Sequence, residues 1–181
     1  LSVAGAIVPL FDMFLMNHTQ TEADFINFAR ASLFGRAVYA VTAILAQWLL
    51  PNQIRGEKFG VRISLRKVMA GALVICAAAA WVSPFVAKYI FKWSEHPDVT
   101  LVFLASAEVS MLAIIFFIIQ TLCAQHKPRQ AGMFIILMAL EAGTQLLFKF
   151  PMMYYLAGAL SVQIVSVLAF LQAAPKPTSR K

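Results

Sequence analysis

Asp12, Arg30, Arg36, Glu108 and Glu141 stand inside long apolar runs of this chain, with Lys88 nearer the end of one. A charge at the centre of a bilayer costs about 2.5–3.5 kcal/mol on insertion scales, so each of these groups needs a partner, water or a ligand. Asp12 and Arg30 come level if the first hairpin folds about residue 21, and they can then neutralise each other as an ion pair. Arg36 lies roughly 9 Å deeper than Arg30 at helical rise, with no acid at its own level in the first run. Its guanidinium keeps its charge and presents a planar fork suited to phosphate. Gly35, just before it, lets another backbone or a ligand come close. The expectation is an interior cavity that receives an anionic group at Arg36; the alternative is a buried arginine paired with Glu108 or Glu141.

The acids carry a second possible chemistry. Glu141, Thr144, Gln145 and Phe148 fall at i, i+3, i+4 and i+7, so they share one helical face, and that face is expected to point into the bundle or a water-filled cavity. Glu108 lies between Ser106 and Ser110 in another polar patch. Either glutamate could bind a coupling proton or a cation such as sodium, and either could simply hydrogen-bond a neighbouring helix. His18, His96 and His126 are scattered through loops without ligand-like spacing. No phosphate-cradling glycine loop, HExxH or nucleophile motif appears, so neither a metal, nor a cofactor, nor an enzymatic activity is expected. Cys76 and Cys123 sit inside apolar runs and read as reduced packing residues.

The elements that must position these groups are the runs themselves: Leu1–Met16, Ala31–Leu50, Val68–Phe91, Val99–Cys123, Gly132–Phe148 and Met152–Ala173. A hydrocarbon core about 30 Å thick needs roughly 20 apolar residues. Five runs meet that length. The first begins without a methionine and is expected to be a truncated spanning helix, the chain being the C-terminal part of a larger protein. The composition, 61% hydrophobic and 13% charged, suits lipid rather than water as the solvent. In lipid the backbone must satisfy its own polar groups, and no barrel-strand alternation is present, so the fold class is all-α: a polytopic transmembrane bundle of about six helices. The second helix is expected to begin near Phe25 and stop at Pro51, and Pro84 to kink the third. Residues 59–66 are read as an inner-surface segment or a solvated loop, and 174–181 as a disordered tail.

The net charge of +7 is an orientation signal rather than a nucleic-acid footprint. Ten basic residues (Arg55, Lys58, Arg62, Arg66, Lys67, Lys127, Arg129, Lys176, Arg180 and Lys181) fall in alternate loops and the tail, against Lys92 and Lys149 in the others. This asymmetry places the 52–67 and 124–131 loops and the C-terminus in the cytoplasm. Trp81, Trp93, Tyr154 and Tyr155 suit the opposite interface.

Asp12-Met-Phe-Leu-Met16, a short acidic turn, Phe28-Ala29-Arg30-Ala31, Gly35-Arg36 and Leu50-Pro51 together resemble the start of the C-terminal half of polysaccharide flippases. These form the lipid-linked oligosaccharide branch of the multidrug/oligosaccharidyl-lipid/polysaccharide exporter superfamily. The later helix lengths and loops follow that half as well, although Phe28 stands where the family usually has tyrosine. The resemblance implies helices seven to twelve, forming one lobe of a two-lobed transporter that works by alternating access. Its substrate would be an isoprenoid-linked glycan in the cell membrane, and its partner the N-terminal lobe of the same chain. Arg36 and Arg30 would then line the anionic cavity. A drug exporter of the same superfamily, a polyprenyl-phosphate enzyme and a non-catalytic partner subunit are the competing readings.

Overall fold

Residues 13–54, 61–124 and 128–173, those described in a computed structural model, fold into helices joined by short turns, with no strand among them. We number them α1 (residues 13–19), α2 (Glu22–Ile54), α3 (Val61–Tyr89), α4 (Val99–Ala124), α5 (Pro128–Phe148) and α6 (Met152–Ala173). The helices α2 to α6 are each long and apolar enough to cross a membrane. The chain is a multi-pass, all-α membrane protein.

The most apolar helix, α4, is also the most enclosed, with 78% of its spanning window buried against 17% for α5. It packs against α2, α3, α5 and α6 and so forms the axis of the bundle. On α2 the buried positions are Phe28, Ala31, Ser32, Gly35, Val38, Tyr39, Thr42, Ala43 and Ala46, a seam repeating every three to four residues. Small side chains along such a seam let two backbones approach, which supplies the van der Waals contact that drives helix association in lipid. Gly35 marks the tightest point: a Cβ there would sit 3.3 Å from the Ala105 carbonyl oxygen and 3.3 Å from Val109 Cγ2.

The helix ends follow local chemistry. Thr21 caps α2, its hydroxyl accepting the Asp24 amide at 3.3 Å as an N-cap does and donating to Asp24 Oδ2 at 2.7 Å. Glu22 and Asp24 therefore belong to the first turn of α2, where acids oppose the positive end of the helix dipole. Asp98 caps α4 by accepting the Thr100 amide at 2.8 Å. Lys92 and Lys149, with φ of 53° and 49°, turn the chain after α3 and α5. The Gln20 amide donates to the Phe150 carbonyl at 2.8 Å and Arg30 reaches Glu95 at 3.2 Å. These contacts gather the turn at 20–21, the 90–98 loop and the turn at 149–151 at one end of the bundle.

Several sequence expectations change. The helix α1 runs on to Thr19, so the first turn is shorter than Asn17–Asp24. A proline fixes a helix-compatible φ and removes only one bond, and α2 continues past Pro51 to Ile54. Residues 61–66 are the first turns of α3 rather than a loop. Pro84 lies inside α3, where the sequence placed it, and Tyr155 is buried in the core while Tyr154 is exposed. Cys76 packs against Val38 and Ala107, whereas Cys123 is exposed. Residues 1–12, with most of the first run and Asp12, and the tail from 174 lie outside the described residues.

Candidate functional site

Arg36 projects from the half-buried flank of α2 toward α1, where its guanidinium meets Met13 Sδ. A thioether is a weak acceptor and carries no charge to offset the cation. Arg36 Nε is buried and has no partner among the described residues. Gly35 serves the close approach expected of it, and the backbone that approaches is that of α4 at Ala105.

Arg30 is engaged near the end of the bundle. Its guanidinium pairs with Glu95 at 3.2 Å, the two side chains being 24% and 77% exposed, and lies 5.6 Å from the centroid of Trp93. Trp93 in turn stacks on Phe91, with centroids 4.8 Å apart, and Phe34 meets Phe91 edge-on at 6.4 Å. Glu95 and Trp93 are the arginine's partners, and the sequence reading named neither. Asp12, the partner it did name, is outside the described residues. A charge seated on an aromatic face and paired at a water-accessible end is well accommodated, so Arg30 fits a fastening between α2 and the α3–α4 loop better than a cavity wall.

The two glutamates come together through a residue that the sequence reading missed. Gln163, on α6, donates from Nε2 to Glu108 Oε1 at 3.2 Å and to Glu141 Oε1 at 3.4 Å. One amide nitrogen thus bridges carboxylates from α4 and α5. Glu108 and Gln163 are each 2% exposed, while Glu141 is half-buried. Gln163 Oε1 is buried without a partner among the described residues. Beside this group, on other flanks of α4, the Ser110 hydroxyl donates to the Ser106 carbonyl at 2.7 Å and meets Cys76 Sγ at 3.4 Å. Gln163 carried a signal in retrospect: it is the one amide side chain in the middle of the last apolar run, and glutamine at that depth must find a partner on another helix.

Gln145 does not join the glutamates. It is fully buried, but its Nε2 donates to Thr19 Oγ1 and to the Phe150 carbonyl, both at 3.2 Å. With Gln20 on the same two acceptors, it ties the end of α1 to the α5–α6 turn. The face expected to carry Glu141, Thr144, Gln145 and Phe148 inward is divided. Thr144 is exposed and bonds its own helix at the Glu141 carbonyl, and Phe148 is 66% exposed. The helix α5 lies at the rim of the bundle, so only the narrow stripe that faces α4 and α6 is covered.

No cluster of three or more histidine, cysteine, aspartate or glutamate side chains occurs among the described residues. The paired carboxylates and their amide can hold a proton or a small cation between three helices, and the Arg36 guanidinium can receive an anion. No family model, no curated protein and no solved structure matches the chain.

Proposed function

We propose that the chain is one lobe of a membrane transporter that carries an anionic, lipid-linked oligosaccharide across the cell membrane by alternating access, together with a second lobe. The observation that carries this reading is Arg36: a guanidinium within a spanning helix, met by an uncharged thioether and with Nε unsatisfied among the described residues. Such a group is costly in lipid unless water or an anion reaches it, and its planar fork suits a pyrophosphate. It stands beside the point where Gly35 lets α2 and α4 touch, and Gly35-Arg36 is part of the pattern that resembles the flippases. The same cation argues against a transporter of cationic drugs. The basic residues of the 52–67 and 124–131 loops favour a cytoplasmic location for that end of the bundle and for the C-terminus.

The test is glycan export by the complete gene product in cells that depend on it, with protein levels matched by immunoblot. Losing a charged hydrogen bond to substrate costs about 1.5–3 kcal/mol, so Arg36→Ala should lower export roughly tenfold or more, with Arg36→Lys between. Undiminished export by Arg36→Ala at normal protein level would reject the reading. Export that requires only the presence of the chain, and no particular residue in it, would instead favour a partner subunit.

A further inference from the structure

We infer that the free flank of α3 is a binding site for an anionic phospholipid, with the phosphate held at Lys88 and Lys92 and an acyl chain laid along Phe85 and Trp81. Trp81, Phe85, Lys88 and Tyr89 fall at i, i+4, i+7 and i+8, so they share one face of the helix. That face is uncovered: Trp81, Phe85 and Tyr89 are 73%, 56% and 69% exposed, and Lys88 is exposed beside them. Ala77 and Ala78, one turn below Trp81, are exposed as well, and their small side chains leave a hollow under the ring that a methylene chain can fill. The helix buries its other side against α2 and α4.

Two features set this flank apart from ordinary lipid contact. The first is depth. Interfacial aromatics form a belt at headgroup level, whereas Trp81 lies about 12 Å below Tyr89 at helical rise. The rings of Trp81 and Phe85 approach to 6.2 Å between centroids and make a track from the headgroups into the hydrocarbon. The second is charge. Lys88 Nζ sits 5.4 Å from the centroid of Tyr89 at the top of this track, and Lys92 is exposed in the turn that follows. Neither lysine has an acid partner among the described residues, and Glu95, in the same loop as Lys92, is taken by Arg30. An ammonium is a compact point charge with three donors, well suited to a phosphate. A choline or ethanolamine headgroup would bring its own cation against these two. Phosphatidylglycerol offers a phosphate with uncharged hydroxyls, so the occupant is an anionic lipid of the leaflet at this end of the bundle. This requires only that α3 spans the bilayer and is independent of what the chain transports.

The experiment places the complete protein in phosphatidylcholine nanodiscs that contain increasing small fractions of a lipid with a brominated acyl chain, either phosphatidylglycerol or phosphatidylcholine. Quenching of Trp81, isolated as the difference between the protein and its Trp81→Phe variant, reads how often each lipid occupies the flank. Brominated phosphatidylglycerol should reach half of its full quenching at the lower fraction, by about fivefold for each lysine that meets the phosphate. Lys88→Ala combined with Lys92→Asn should make the two lipids quench alike; asparagine tolerates the positive φ at that position. Lys149→Ala, at the same end of the bundle but after α5, should leave the preference intact. All three lysines are exposed, so their replacement leaves the packing alone. Equal quenching by the two lipids in the wild type would overturn the proposal. So would a preference that survives the double variant, or one that Lys149→Ala lowers as much, which would mark a diffuse effect of surface charge rather than a site.

Discussion

The carbonyl of Ala80 has lost its usual donor, because the residue four positions on is Pro84, which has no N–H. In lipid an orphaned carbonyl has no water to turn to. Here the Ser83 hydroxyl takes it at 2.8 Å, and both Ser83 and Ala80 are buried. This local repair allows α3 to run on without a break. It predicts that Ser83→Ala destabilises the protein by about 1–2 kcal/mol, the cost of an unsatisfied buried acceptor. Ser161→Ala is the control: that hydroxyl bonds the Ala157 carbonyl in an exposed part of α6, and its loss should be nearly neutral. Denaturation in detergent reads both. Pro84 was visible in the sequence, and α3 stays helical through it. Ser83 beside it was legible too, because a hydroxyl one position earlier can reach the freed group.

At the scale of elements, the contact between α2 and α4 depends on one missing side chain. Gly71 has open space where its Cβ would be, while Gly35 faces the Ala105 carbonyl and Val109. Alanine is favoured over glycine in a helix by about 1 kcal/mol, so Gly71→Ala should raise stability by a comparable amount. Gly35→Ala should gain nothing or lose stability, since the atom it crowds is backbone. Gly35→Leu should separate the helices outright and abolish monodisperse behaviour in size-exclusion chromatography. The close approach at Gly35 was legible because Arg36 follows it and the pair is unusual in an apolar run. Its partner was not, because every helix here is apolar on most faces and periodicity then cannot say which face meets which neighbour. The same saturation left the start of α2 open. Glu22 and Asp24 read equally well as loop residues or as a helix's first turn, and only the Thr21 cap decides between them.

For the whole molecule, hydrophobic run length alone delivered the class: all-helical, multi-pass and without strands among the described residues. Run length reports on the solvent, and lipid leaves few choices of backbone. What it could not deliver was the meeting of distant polar groups. Glu108, Glu141 and Gln163 are joined across three helices, and Arg30 finds Glu95 in a loop 65 residues on, because helix order around the bundle is set by packing that apolar sequence underdetermines. One of these meetings also gives the protein an optical property. Trp48 and Trp81 are 75% and 73% exposed on the flanks of α2 and α3, whereas Trp93 stacks on the Phe91 ring and has the Arg30 guanidinium 5.6 Å from its centroid. Acyl chains brominated near their midpoint should therefore quench most of the wild-type emission in nanodiscs. A Trp48→Phe, Trp81→Phe double variant should keep a fluorescence that these lipids barely touch and that changes when Glu95→Gln frees the guanidinium. The chain carries, at one end of its bundle, a native fluorophore that reports whether α2 is still fastened to its neighbour.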